Sequence, residues 1–391
     1  MALPAKDVRT ERPGSTAEVA ELVRSAAGDN HAMLVRGAGT KLGWGHDPVR
    51  CDLVVDTTAM DRVVEHAAGD LVVHVEAGTR LAALQEQLVG AGQQIALDAP
   101  FGDGTVGGAV ATGASGPRRL LYGTPRDLLI GVTVVRADGT VTKAGGKVVK
   151  NVAGYDLGRL YTGSFGTLGV VTEAIFRLHP VPRASRYLVA SYDDVPDAAR
   201  AAAAVTGSQQ APTAVEVHRS SRDAAVDVAV LVEGVPAGVD ARSTEVTRLL
   251  GPATPSETPP PWWGAYAPRD RRLVLRFTFP PGQLARALDA VERLTGEWDL
   301  PVVVNGSAAG ALYLVVPQKA RLREHGSGLV RSLRDAAAQL GGTLVVLEAP
   351  TATKDAVDVW GPVPAIDLMR RVKAQLDPDR LLAPGRFVGG I

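Results

Sequence analysis

Gly163-Ser164-Phe165-Gly166-Thr167-Leu168-Gly169-Val170-Val171-Thr172 is the stretch around which the rest of the chain is read. Its glycines let main-chain N–H groups turn toward a ligand with no Cβ in the way. Hydroxyls at Ser164, Thr167 and Thr172 add short-range donors and acceptors. The β-branched run that follows, as far as Ile175, reads as a buried strand. A turn that offers bare amides and feeds a core strand suits a phosphate-bearing cofactor. Standing alone it would also read as a tight structural turn.

Two further glycine-rich segments precede it. Ser15 and Glu18 form a capping box that opens a helix with Val19, Leu22, Val23 and Ala26 on one face. A short buried strand at 32–35 runs into Arg36-Gly37-Ala38-Gly39-Thr40-Lys41-Leu42-Gly43, a loop placed where α/β folds hold ligands. Strands are expected at 53–56, 62–66 and 71–75, then a helix capped by Thr79, then a strand at 94–97. Gly102-Asp103-Gly104-Thr105-Val106-Gly107-Gly108-Ala109 follows, continuing through Ala111, Thr112, Gly113, Ser115 and Gly116. Gly102, Gly104 and Gly107 match GxGxxG in form, with Asp127 about where a ribose-binding acid would fall. The context argues against a Rossmann site, because residues 98–101 separate this stretch from the preceding strand. A Walker loop also fails, since Val148 follows Gly146-Lys147. Strands 128–136 and 140–143 pair across Ala137-Asp138-Gly139, and 147–157 leads through a short helix into the opening stretch.

Composition narrows the class. The 391 residues carry 42 basic and 42 acidic side chains, so nothing points to a polyanion such as nucleic acid. Cys51 is the single cysteine, which excludes an internal disulfide and an iron–sulfur cluster held by this chain alone. The seven histidines are scattered with no metal-binding pair, so no metal is expected. The first residues are too charged for a signal segment. No apolar run approaches the roughly 18–20 residues that cross a bilayer. A cytoplasmic protein is expected, with any membrane association arising through partners.

Beyond Pro182 the pattern changes to strand 186–192, helix 195–205, strands 213–218 and 226–233, and helix 237–250. A Pro-rich connector at 252–261 follows. Strand 273–279, helix 283–294, strands 302–304 and 311–316, helix 328–340 and strand 343–347 complete it. The order β-α-β-β-α occurs twice, which predicts two ferredoxin-like halves sharing one antiparallel sheet with helices on one face. The tail is an amphipathic helix through Ile366, Leu368, Met369, Val372 and Leu376. It closes with Leu381-Leu382-Ala383-Pro384-Gly385-Arg386.

Taken in order, these pieces resemble the vanillyl-alcohol-oxidase-type (PCMH-type) FAD-binding family. Arg36-Gly37-Ala38-Gly39-Thr40 is similar to its pyrophosphate loop, and Thr105 through Gly116 to its flavin-contacting segment. Residues 163–172 match its GSxGTLGVIT signature, and 381–386 its closing LNPG(K/R) motif. The motifs span 10–180 and 363–389; residues 183–350 resemble the family by layout. Lys150-Asn151-Val152-Ala153-Gly154-Tyr155-Asp156 and Leu376-Asp377-Pro378 narrow the resemblance to the FAD-binding subunits of bacterial glycolate oxidases.

The resemblance implies an α+β fold in three stretches. These are a two-part FAD-binding domain at 1–182, a cap domain of two ferredoxin-like halves at 183–350, and a C-terminal segment at 351–391 returning to the FAD domain. It implies non-covalent FAD, because no His stands where some relatives attach flavin. Backbone amides of Gly37, Ala38, Gly39 and Thr40 would hold the pyrophosphate, with Arg36 either pairing nearby or fixing the loop, and Lys41 and Leu42 would also bind the cofactor. Thr105, Val106, Gly107, Gly108, Ala111, Thr112, Ser115 and Gly116 would line the ribityl chain and ring. Gly163, Ser164, Gly166, Thr167, Gly169, Val170 and Val171 would close over the cofactor, with Ala383, Pro384 and Gly385 completing the site. Ala383 replaces the family's Asn, so a side-chain hydrogen bond to the ring is lost there.

The implied reaction is oxidation of a small 2-hydroxy acid, glycolate or D-lactate, to the 2-oxo acid. Electrons would pass to an iron–sulfur subunit beside a larger flavin subunit. Arg276 is the candidate for the substrate carboxylate, and His325, within Glu324-His325-Gly326, a candidate catalytic group. The GHxGDGNxH-like metal motif of catalytic relatives has no counterpart here. Two alternatives therefore stay open: a non-catalytic FAD-carrying subunit supporting a catalytic flavin partner, and a stand-alone alcohol oxidase.

Overall fold

The computed structural model describes residues 8–147, 155–266, 271–317 and 322–391. Lys150-Asn151-Val152-Ala153-Gly154, which carried part of the finer resemblance, lies outside them. The chain divides into two compact units. The first comprises residues 1–115, 123–181 and 362–391; the second comprises 116–122 and 182–361.

In the first unit, strands Arg9–Glu11, Leu53–Asp56 and Met33–Arg36 form a parallel sheet with Leu53–Asp56 at its centre. Helix Thr16–Gly28 buries Val19, Val23 and Ala26 against Met33, Leu53 and Val55. Its start follows half of the expected capping box: Ser15 Oγ accepts from Glu18 N, while Glu18 Oε2 accepts from Gly14 N, one residue before the cap. A five-stranded antiparallel sheet runs Val63–Ala67, Val72–Glu76, Val170–Arg177, Leu129–Val135, Val141–Gly145. The central Val170–Arg177 is the strand that the opening stretch feeds. Gly139, at φ 77°, makes the predicted hairpin turn.

Several local expectations shift, each for a packing reason. The expected strand 94–97 shrinks to Gln93–Gln94, paired with His179–Pro180. Helix Leu81–Gly90 is capped by Asp103, whose Oδ1 accepts from Ala82 N, so the cap comes from a distant loop rather than from Thr79. The glycine-rich stretch at 102–113 contains a helix that the sequence did not advertise, Val106–Thr112. Glycine is a poor helix former, but here Thr105 Oγ1 caps Gly108 N and Gly113, at φ 62°, ends the helix. Gly107 lies so close to Ala77 that an added Cβ would sit 2.8 Å from its methyl.

The second unit is one eight-stranded antiparallel sheet. Its order is Thr254–Ser256, Ala184–Tyr192, Val226–Gly234, Ala214–Arg219, Val303–Ser307, Ala311–Pro317, Arg271–Thr278, Thr343–Glu348. Each half has the ferredoxin-like strand order, and the halves join where Ala214–Arg219 pairs with Val303–Ser307. The fourth strand of the first half, Thr254–Ser256, comes from the Pro-rich connector, where proline is tolerated because the strand is an edge. Helix Leu322–Gln339 starts earlier than expected and takes in His325 and two glycines. Gly328 abuts the Trp298 ring, leaving 2.6 Å for any Cβ.

Candidate cofactor and substrate sites

A cleft in the first unit lies between the ends of the glycine-rich segments. Arg36, Gly37, Ala38, Gly39, Thr40, Lys41 and Leu42 line it, as do Thr105, Gly107, Gly108, Ala111, Thr112, Gly166, Gly169 and Val171. Val35, Thr57, Phe165 and Arg386 also line it, and sequence reasoning did not assign them to the cofactor. Three cations and no carboxylate face the cleft, which selects for an anionic ligand.

The walls are tightly specified. A Cβ on Gly37 would lie 2.2 Å from Thr105 Oγ1, so only glycine lets the two segments meet. Arg36 does not reach outward as a free cation: its Nη2 donates to Asp56 Oδ2 at 2.7 Å. Burial alone would raise the Asp56 carboxyl, but hydrogen bonds from Thr58 and Arg36 hold it below the usual carboxylate range. Arg36 therefore fixes the loop from behind. Gly163 N and Phe165 N donate to Val110 O and Ala111 O, which ties the 163–169 turn to helix Val106–Thr112.

Other expected cofactor residues lie behind the cleft surface. The Ser164 and Thr167 hydroxyls donate to Tyr161 O at 2.8 Å and Ser164 O at 2.7 Å, and Thr172 donates to Thr133 O, so all three serve the backbone. Val106 and Val170 are wholly buried, Ser115 nearly so, and Gly163 shapes the turn at φ 79°. Pro384 O accepts from Val49 N, and Gly385, at φ 82°, packs on Val49. Ala383 adopts φ 43°, a left-handed conformation that asparagine tolerates better than alanine. Gly116 belongs to the second unit.

Arg386 is the informative omission. It is 5% exposed, donates to Lys41 O at 3.1 Å and Leu42 O at 3.2 Å, and lies 5.8 Å over the Phe165 ring. Burial pushes its guanidinium down to about 10, partly offset by Asp47. The available signal was a lone charge following a Pro-Gly turn in an apolar tail.

These features fit a dinucleotide: bare backbone at Gly37, a lining with Arg36, Lys41 and Arg386 and no carboxylate, and a strand Met33–Arg36 that ends at the cleft. Residues 10–145 match the FAD binding domain, and residues 360–387 match the C-terminal domain of FAD linked oxidases. The two matched segments are those of FAD-linked oxidases, and the resemblance to the PCMH-type FAD-binding family is carried by them. FAD is the chain's cofactor. Its relatives among FAD-linked oxidoreductases include glycolate oxidase subunits and D-lactate dehydrogenases. It is 25% identical to glycolate oxidase subunit GlcD of Bacillus subtilis (strain 168), an alignment over 96% of this chain and 87% of that protein. It is 38% identical to glycolate oxidase subunit GlcE of Escherichia coli (strain K12), over 42% of this chain and 47% of that one. Its fold is that of a solved alkyldihydroxyacetonephosphate synthase, with TM-score 0.73, 20% identity, and coverage of 96% of this chain and 75% of that one. Among the described residues no helix is long and apolar enough to cross a membrane.

The second unit carries a row of polar side chains rather than a glycine-walled cleft. Strand register places Arg276 opposite Tyr313, Tyr313 opposite Asn305, Asn305 opposite His218, and His218 opposite Asp227. Residues directly opposite share a face, so a polar row crosses the sheet. Alternate positions such as Leu275, Leu314, Val304 and Val217 form an apolar face, the kind that amphipathic helices bury. His218 Nδ1 lies 2.7 Å from Asn305 Oδ1, and its ring stacks on Trp262 at 4.9 Å. Tyr266 stacks on Tyr313 at 4.5 Å and donates to Glu216 Oε2 at 2.7 Å.

Burial raises the Tyr313 hydroxyl, with Arg276 and Arg119 opposing, so at neutral pH it remains a protonated donor. Arg276 is partly exposed and has no ion-pair partner among the described residues. His325, by contrast, sits on helix Leu322–Gln339 with its ring 5.2 Å from Trp298, a packing contact.

Proposed function

We propose that the protein oxidises a small 2-hydroxy acid, glycolate or D-lactate, to the 2-oxo acid as one subunit of a multisubunit oxidase. FAD, held non-covalently in the glycine-walled cleft, would supply the two-electron acceptor. The chain's own part is binding and orientation. Backbone around Gly37–Thr40, with Lys41 and Arg386, would receive the pyrophosphate. Gly107, Gly108, Ala111 and Thr112 leave room for the ribityl chain.

The observation that carries the substrate reading is Arg276: a partly buried guanidinium without a carboxylate partner among the described residues, beside a protonated Tyr313. Such a pair suits a carboxylate, which takes charge-assisted hydrogen bonds from Arg and a further bond from the phenol. Three strand spacings separate His218 from Arg276, about 14 Å. A two- or three-carbon acid therefore cannot engage both, and Arg276 is the better anchor. The names of two relatives, both glycolate oxidase subunits, support an assembly of more than one kind of subunit.

Anaerobic mixing of the holoprotein with glycolate and with D-lactate, alone and with its partner subunits, tests this. Bleaching of the oxidised flavin band by either acid is expected. A flavin that stays oxidised with both acids in both preparations rules the activity out.

A further inference from the structure

The C-terminal segment does more than close the first unit. Lys373 is 3% exposed, and its ammonium donates to Thr167 O at 2.7 Å, Leu382 O at 3.0 Å and Asp377 Oδ2 at 2.5 Å. Three donors meet three acceptors. Asp377, fully buried, also accepts from Leu381 N and Leu382 N, each at 2.9 Å. Thirteen residues after Lys373, Arg386 holds the carbonyls of Lys41 and Leu42. One short stretch of chain thus grips main-chain oxygens of both glycine-rich segments, 36–42 and 163–169, that line the cleft. Between them Phe165, a bulky residue at φ 58°, is kept in its left-handed conformation under Arg386, with Phe387 stacked on it at 5.6 Å.

A buried ion pair adds little net stability compared with apolar groups of the same shape, so the Lys373–Asp377 pair calls for another account. Glycine-flanked peptides reorient easily, and an oxygen swung toward a pyrophosphate would repel it. We propose that Lys373 and Arg386 are positioning residues for FAD: buried cations that tie down the carbonyl oxygens of both segments. Cofactor affinity then depends on a tail whose only contribution to the cleft lining is Arg386. This rests on FAD as the cofactor and not on the substrate.

The test is FAD release from diluted holoprotein, read by the rise in flavin fluorescence, beside thermal unfolding of the same variants. Lys373→Met should weaken FAD at least tenfold and lower the melting point, because it strands Asp377. Lys373→Met with Asp377→Asn removes the stranded charge; the melting point should largely return while FAD stays weak. Arg386→Lys keeps the charge but loses the fork that spans two carbonyls, and should also weaken FAD about tenfold. In the Lys373→Met holoprotein, amides 165–169 should exchange hydrogen faster while helix Ile366–Leu376 stays protected. Wild-type FAD affinity in Lys373→Met, or recovery of affinity together with stability in the double variant, overturns the role of Lys373. Unchanged affinity in Arg386→Lys overturns that of Arg386.

Discussion

In the first unit the cleft is shaped largely by main chain, at Gly37, Gly107, Gly108 and Gly166, with side chains such as Arg36 and Lys373 working from behind. In the second unit the corresponding groups are side chains, delivered by strand register onto one face of a sheet: Arg276, Tyr313, Asn305 and His218. A cofactor binds through its phosphates to whatever amides the backbone can bare, so its cradle demands particular residue types at particular turns. A substrate site on a sheet demands only alternation, and many side chains satisfy that. The first kind of site tolerates little substitution, and the second tunes specificity.

Gly37→Val should break this contrast most severely. Its Cβ would fall 2.2 Å from Thr105 Oγ1, and overpacking of about 3 kcal/mol would weaken FAD on the order of a hundredfold. Equilibrium dialysis of the flavin reads it, and unchanged retention would mean that the two segments do not form a cofactor wall. Arg276→Gln should leave flavin content intact and cut kcat/KM for the hydroxy acid on the order of tenfold, from the loss of about 1.5 kcal/mol of charged hydrogen bonding. Stopped-flow bleaching measures it. A loss of flavin instead would blur the division between the units.

Acid sharpens the picture further. Asp56 is held below its ordinary value, so the stability it contributes is present above about pH 4 and is lost as pH falls through the lowered folded value. Flavin retention should fall over that range. Asp56→Asn should weaken retention at neutral pH and flatten the acid limb, and an unaltered acid profile would remove the Arg36–Asp56 pair from the account. The smallest effect is expected from Ala383→Gly. Relief of the left-handed strain at φ 43° is worth about 1 kcal/mol before glycine's entropy cost is subtracted. A melting point raised by a few degrees or less is expected, and a decrease would show that Ala383 is not strained.

Legibility followed the same division. Residues 36–42 and 163–169 could be read directly because their glycines permit backbone shapes that other residues resist. The ferredoxin-like halves could be read because strands and helices alternate with distinct periods. Helix Val106–Thr112 could not, since three small residues and two glycines carry no amphipathic signal. Thr254–Ser256 was hidden among prolines, and the Asp103 cap arrives from outside its helix. Arg276 was legible as a lone arginine on a strand; the row it shares with Tyr313, Asn305 and His218 was not.

The sequence by itself determined that this chain bares its backbone at separated turns for a phosphate-bearing cofactor and builds a doubled antiparallel sheet, because glycine placement and hydrophobic period are local properties. Only the tertiary structure decided which groups stand at the cleft surface and which stand behind it. Ser164, Thr167, Arg36 and Lys373 all carry polar atoms suited to a ligand, yet each of them bonds to the protein itself. That choice depends on partners up to 206 positions away, and no local pattern encodes a contact across such a distance.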